Sequence, residues 1–149
     1  MLRTIRLTPF LFIILFLMAC QSAEPQTIGE IDSADSDTLE LGETVYAANC
    51  ANCHGANLEG QADWKTPNED GTWKAPPHDE SGHTWHHPDD YLLDRIYNGT
   101  EGLDASMQAD SNMPAYKELL TDEEIEAVLE FIKSQWPDDI KATQAARSQ

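Results

Sequence analysis

The chain has 149 residues, enough for one domain and too few for a large multidomain enzyme. It carries 27 acidic and 9 basic residues, a formal net charge of −18, and a surface so acidic repels phosphate, which excludes nucleic-acid binding. A hydrophobic content of 40% with four tryptophans excludes a fully disordered chain.

The first nineteen residues read as an export signal. Arg3 and Arg6 form a short basic start, and residues 10–18 are then apolar without a break. That run is too short for the roughly 20 apolar residues a membrane-spanning helix needs, but it suits a cleaved leader. Leu17-Met18-Ala19-Cys20 resembles the bacterial lipobox, in which the cysteine becomes the acylated first residue of the mature protein. An ordinary signal peptide with an incidental cysteine is the alternative. On the lipobox reading the folded part lies outside the cytoplasm, in the periplasm or at the cell exterior, held to a membrane by acyl chains on Cys20.

Residues 20–38 follow as an acidic tether. Five acids, no base and two isoleucines in residues 21–38 cannot bury a core, so an extended, flexible segment is expected. Helical spacing begins at Leu39, with Leu41, Val45 and Ala48 at three- and four-residue steps, and runs on to Cys53. Residues 55–86 are rich in Gly, Pro, Asn, Asp and His without sustained period, which predicts a long loop that something other than secondary structure must hold.

A second helix is predicted over 88–98, with Pro88 at its first position, Asp89 and Asp90 in its first turn and Gly99 as its left-handed C-cap. The third starts at a capping box, Thr121 with Glu124, and carries Ile125, Val128, Leu129, Ile132 and Trp136 as one stripe before Pro137. Residues 138–149 are polar and expected to fray. No segment alternates as a strand does, so the fold class is all-α: three main helices and long loops, with the folded domain over 39–137. Three short helices make a poor core at this size, and a large apolar ligand at the centre would remedy that.

The chemistry lies in Cys50-Ala51-Asn52-Cys53-His54. C-x-x-C-H is the attachment signature of a c-type haem: two thiols three residues apart on a helical turn can each add to one vinyl group of the same porphyrin, and His54 then falls beneath the iron. A thioredoxin-like dithiol would need a βαβ setting. A zinc site would need two further ligands from His78, His83, His86 and His87.

With these residues the chain resembles a class I, monohaem c-type cytochrome of the bacterial membrane-tethered type, over roughly residues 39–137. Gly42, Tyr46 and Cys50 match that family's first helix, whose glycine and aromatic residue pack on the last helix, here on Val128, Phe131 and Ile132. The resemblance implies a methionine as sixth iron ligand in a late loop. Asn112-Met113-Pro114-Ala115-Tyr116 fits, with Met107 as a rival and the four later histidines as further alternatives.

It thus implies one covalent haem c on Cys50 and Cys53, ligated by His54 and Met113. The expected role is a non-enzymatic single-electron carrier between redox proteins, membrane respiratory complexes serving as donor and acceptor. A His/Met pair favours ferrous iron and raises the reduction potential. The acidic surface demands a partner with a basic patch or a small apolar contact. The alternatives are a haem enzyme or sensor with an open sixth position, and an accessory metal-binding lipoprotein using the histidine loop, where copper or zinc would suit imidazole. Trp64, Trp73 and Trp85 are read as cofactor-wall or loop-packing residues.

Overall fold

The structure, a computed structural model, describes residues 35–103 and 111–149. Among the described residues there are five α-helices and no strand: α1 (Ser36–Asn49), α2 (Ala51–His54), α3 (Asp89–Asn98), α4 (Asp122–Ser134) and α5 (Asp138–Ala145). The all-α expectation holds. The leader, Cys20 and Met107 lie outside the described residues.

Helix α1 starts earlier than its apolar spacing indicated. The Asp35 carboxylate accepts from the backbone N–H of Asp37 at 3.0 Å and of Thr38 at 2.9 Å, so the end of the expected tether is a capped first turn. Its buried face is Gly42, Val45 and Tyr46, whereas Ala48, expected on that face, is exposed. The face is set by the crossing with α4. A Cβ on Gly42 would lie 2.1 Å from the carbonyl oxygen of Ala127 and 2.7 Å from the Cβ of Phe131, so only glycine lets the two backbones approach this closely.

Helix α4 begins at the capping box anticipated from Thr121 and Glu124. Thr121 N–H donates to the Glu124 carboxylate at 2.8 Å, and Glu124 N–H donates back to the Thr121 hydroxyl at 3.3 Å. Ile125, Val128, Leu129 and Ile132 are buried as the stripe required, and Ala127 joins them at the crossing. Val128 and Ile132 form one core with Val45, Tyr46, Leu58 and Trp136, on which Phe131 packs. The Tyr46 and Phe131 rings lie 5.5 Å apart.

Three expectations about helix and chain ends are corrected. Pro88 caps α3 instead of entering it, and Gly99 does not take the left-handed helical conformation. With φ 52° and ψ −129°, Gly99 turns the chain beneath the 113–114 backbone, where a Cβ would sit 2.5 Å from the Pro114 carbonyl oxygen. Residues 138–149 do not simply fray, because they carry α5, on which Ile140 packs against the core and Gln144 is 1% exposed.

The long loop is held largely by its own backbone. His78 N–H donates to the Leu58 carbonyl at 2.7 Å and Gly60 N–H to the His54 carbonyl at 2.7 Å. Residues 61–75 leave this path as an excursion closed at its base: Gln61 N–H donates to the Ala75 carbonyl at 3.0 Å, and Ala75 N–H to the Gln61 side chain at 2.8 Å. The Trp136 indole donates to the His78 carbonyl at 2.7 Å, tying the loop to the end of α4. At the centre a cavity of about 510 Å³ remains, the size class of a cofactor site.

Candidate functional site

Helix α2 is a single turn, too short to persist alone. Two tyrosine hydroxyls pin it: Tyr116 donates to the Asn49 carbonyl ahead of the turn at 2.8 Å, and Tyr46 to the Gly55 carbonyl behind it at 3.0 Å. The turn brings Cys50, Cys53 and His54 to one side of the central cavity, which all three line. Both cysteines are free. Burial, with Cys53 beside it, pushes the Cys50 thiol up to about 11. A redox dithiol needs the opposite shift, so the electrostatics disfavour thioredoxin-like chemistry.

The His54 ring is oriented by two neighbours. Its Nδ1 lies 2.8 Å from the Pro76 carbonyl, which can only accept, so Nδ1 carries the proton and Nε2 is left with a free lone pair. Burial lowers the His54 pKa despite that bond, which keeps the ring neutral. On its other side the His78 ring stacks at 4.0 Å with a 22° interplanar angle. The Thr84 hydroxyl donates to the Pro77 carbonyl at 3.4 Å and so accepts from His78 Nδ1 at 2.9 Å. Burial, with His54 and His83 nearby, pushes His78 well below its ordinary value.

Met113 lines the same cavity. Its segment runs along the end of α3: Thr100 N–H donates to the Met113 carbonyl at 3.2 Å, and Tyr116 N–H to the Ile96 carbonyl at 3.1 Å. Tyr116 therefore joins the Met113 segment to the Cys50 turn.

Of the histidines, His83 and His87 also line the cavity, with rings 5.6 Å apart. His83 stacks on Trp64 and His87 on Tyr91. Among the described residues no group of three or more His, Cys, Asp or Glu side chains is placed to hold a metal ion. Trp73 lines the cavity at 51% exposure, and the Trp85 indole donates to the Glu80 carbonyl.

The sequence matches the family model for cytochrome c over residues 39–136. The chain belongs to the cytochrome c family. Membership brings haem-based electron transfer and an all-helical fold with it. No curated protein and no solved structure shows significant similarity to this cytochrome.

The residues present fit a haem. Leu92, Ile96, Leu103, Val128, Leu129 and Ile132 give the cavity apolar walls. Arg95 also lines it; the guanidinium pairs with Asp94 and donates to the Gly99 carbonyl at 3.4 Å, but its Nε is buried with no hydrogen-bond partner among the described residues. An orphaned buried guanidinium nitrogen is costly unless a ligand supplies an acceptor, and the carboxylates of a haem are such acceptors. Arg95 was not singled out from the sequence. The only signal for it was its scarcity, one of nine bases, on the predicted helix beside Leu92 and Ile96.

Proposed function

We propose that this cytochrome is a single-electron carrier, tethered to a membrane through acylated Cys20, that exchanges electrons with other redox proteins such as membrane respiratory complexes. Cys50 and Cys53 hold one haem c by thioether bonds, His54 Nε2 is the proximal iron ligand, and Met113 is the distal one. What carries the reading is the His54 ring: its Nδ1 is committed to Pro76, which leaves Nε2 the nitrogen able to bind a metal, and the residue lines a cavity that Cys50, Cys53 and Met113 also line.

The bound haem would supply a one-electron iron couple. His54 and Met113 would hold its iron, the apolar wall would exclude water, and Arg95 Nε would donate to a haem carboxylate. With two protein ligands on the iron, substrate exchange is blocked, which favours electron transfer over catalysis. The lipid tether on Cys20 rests on the resemblance of Leu17-Met18-Ala19-Cys20 to the lipobox.

Three measurements test this. The haem is expected to stay with the chain through denaturation and acid–acetone extraction, and haem that washes out rejects the thioether assignment. The ferrous protein, matured in a haem-attaching host, should show sharp α and β bands that carbon monoxide leaves unchanged. A carbon monoxide complex would instead indicate an open sixth position. Cys20→Ser should release a soluble, haem-loaded protein, and a variant that stays on the membrane would mean the leader or a partner holds it.

A further inference from the structure

Gln144 lies beyond the family-matched span, on α5, yet it is 1% exposed. A polar side chain that deeply buried must be satisfied or it destabilises the fold. Its amide nitrogen lies 3.2 Å from the His87 carbonyl, 2.5 Å from Asp89 Oδ1 and 3.0 Å from Ser148 Oγ, two N–H groups shared among three acceptors. Ser148 Oγ accepts in turn from the Asp89 backbone N–H at 3.0 Å. The other Asp89 oxygen accepts from Lys133 Nζ on α4 at 2.9 Å.

Asp89, the first residue of α3, is therefore tied to α4, to α5 and to the chain beyond α5. Burial alone would raise the pKa of its carboxyl, but hydrogen bonds from Lys133 and Gln144 outweigh that and hold it below the usual range. The carboxylate is thus charged at neutral pH, and hydrogen bonds to charged groups are the strong ones.

The position of this hub decides what it controls. His87 lies on one side of it. On the other, α3 carries Tyr91 and Arg95, and all three line the cavity. The His87 ring stacks on Tyr91 at 4.4 Å, and the Arg95 guanidinium lies 5.2 Å from the Tyr91 ring centre. Fixing the backbone at 87–89 fixes where that wall begins.

We propose that Gln144 is a positioning residue for the cofactor cavity: α5 is a latch that closes on the hub at Asp89 and holds the His87, Tyr91 and Arg95 wall against water. This rests on the haem reading above. In the full-length, haem-loaded protein, Gln144→Met keeps the shape of the side chain and removes its donors. Hydrogen exchange over residues 87–96 should then rise on the order of tenfold, as expected for one lost hydrogen bond to a charged group. The reduction potential should fall, because water reaching the cavity favours the more charged iron. Asp89→Asn should act in the same direction, and the double variant should be less than additive because both substitutions break one hub.

Ser148→Ala, which removes one tie and leaves Gln144 in place, should give a smaller shift of the same sign and covers the case in which Gln144→Met does not fold. Thr143→Ala, at an exposed position of α5 whose hydroxyl donates to the Asp139 carbonyl of the same helix and not to the hub, should leave the potential unchanged. The latch is overturned if Gln144→Met loosens only α5 and leaves both exchange over 87–96 and the potential at wild-type values. A chain whose exchange responds as described but which carries no covalent haem would keep the latch and reject the haem reading instead.

Discussion

Gly42→Val should destabilise the domain by about 3 kcal/mol or more, at the top of the range for overpacking a filled core. The reason is that the clash is with backbone. A Cβ at position 42 would meet the Ala127 carbonyl oxygen at 2.1 Å, and no rotamer change can move a main-chain oxygen in the middle of α4. Even Gly42→Ala should destabilise, although alanine in a helix interior ordinarily gains about 1 kcal/mol over glycine. Relief requires α1 and α4 to separate, and that would open the core formed by Val45, Tyr46, Val128 and Ile132. Glu43→Ala, at the next, exposed position, should change stability by no more than about 0.5 kcal/mol. Denaturant midpoints of the three variants decide the matter, and a Gly42→Ala protein more stable than wild type would refute the close crossing.

Met113→Ala should produce the largest change in redox behaviour while leaving the fold in place. The Met113 segment is held by main-chain bonds, Thr100 N–H to the Met113 carbonyl and Tyr116 N–H to the Ile96 carbonyl, and none of these involves the Met113 side chain. Truncation should therefore remove the thioether without displacing its loop. The haem should remain covalently attached, the weak near-infrared sulfur-to-iron band should vanish and the potential should fall. Axial ligand identity spans about 0.8 V among haem proteins, so the loss of a soft ligand is readily measured. Carbon monoxide should then bind the ferrous form. An unchanged spectrum and potential would transfer the distal role to Met107 or to a histidine.

The site was more legible than the chain ends. Cys50, Cys53 and His54 are readable because the chemistry requires a fixed spacing. The capping box of α4 is readable because it is a local exchange of two hydrogen bonds. Helix α5 was missed because pattern reading looks for an apolar stripe, and the residue that buries this helix most deeply is an amide, Gln144. The start of α1 was missed because Asp35 sits in an acidic stretch whose composition suggests a tether, while its cap depends on one carboxylate reaching two N–H groups. The face of α1 was misjudged at Ala48 because glycine carries no hydrophobic signal, so the crossing centred on Gly42 is invisible to periodicity. The Gly99 turn depends on residues 113 and 114, which are remote in sequence.

The closed base of the 61–75 excursion bears on how this domain can change over evolutionary time. Because Gln61 and Ala75 bond to each other directly, the length of chain between them does not reach Pro76, whose carbonyl fixes the His54 ring. Doubling such an excursion costs only about 0.6 kcal/mol of closure entropy. Insertions and deletions there, away from Trp73, which lines the cavity, and from Trp64, which stacks on His83, are insulated from the carbonyl that orients the His54 ring. The protein thus separates a part whose length is free to drift from a part that is not, and the boundary between them is two hydrogen bonds wide, one between backbones and one from the Ala75 N–H to the Gln61 side chain.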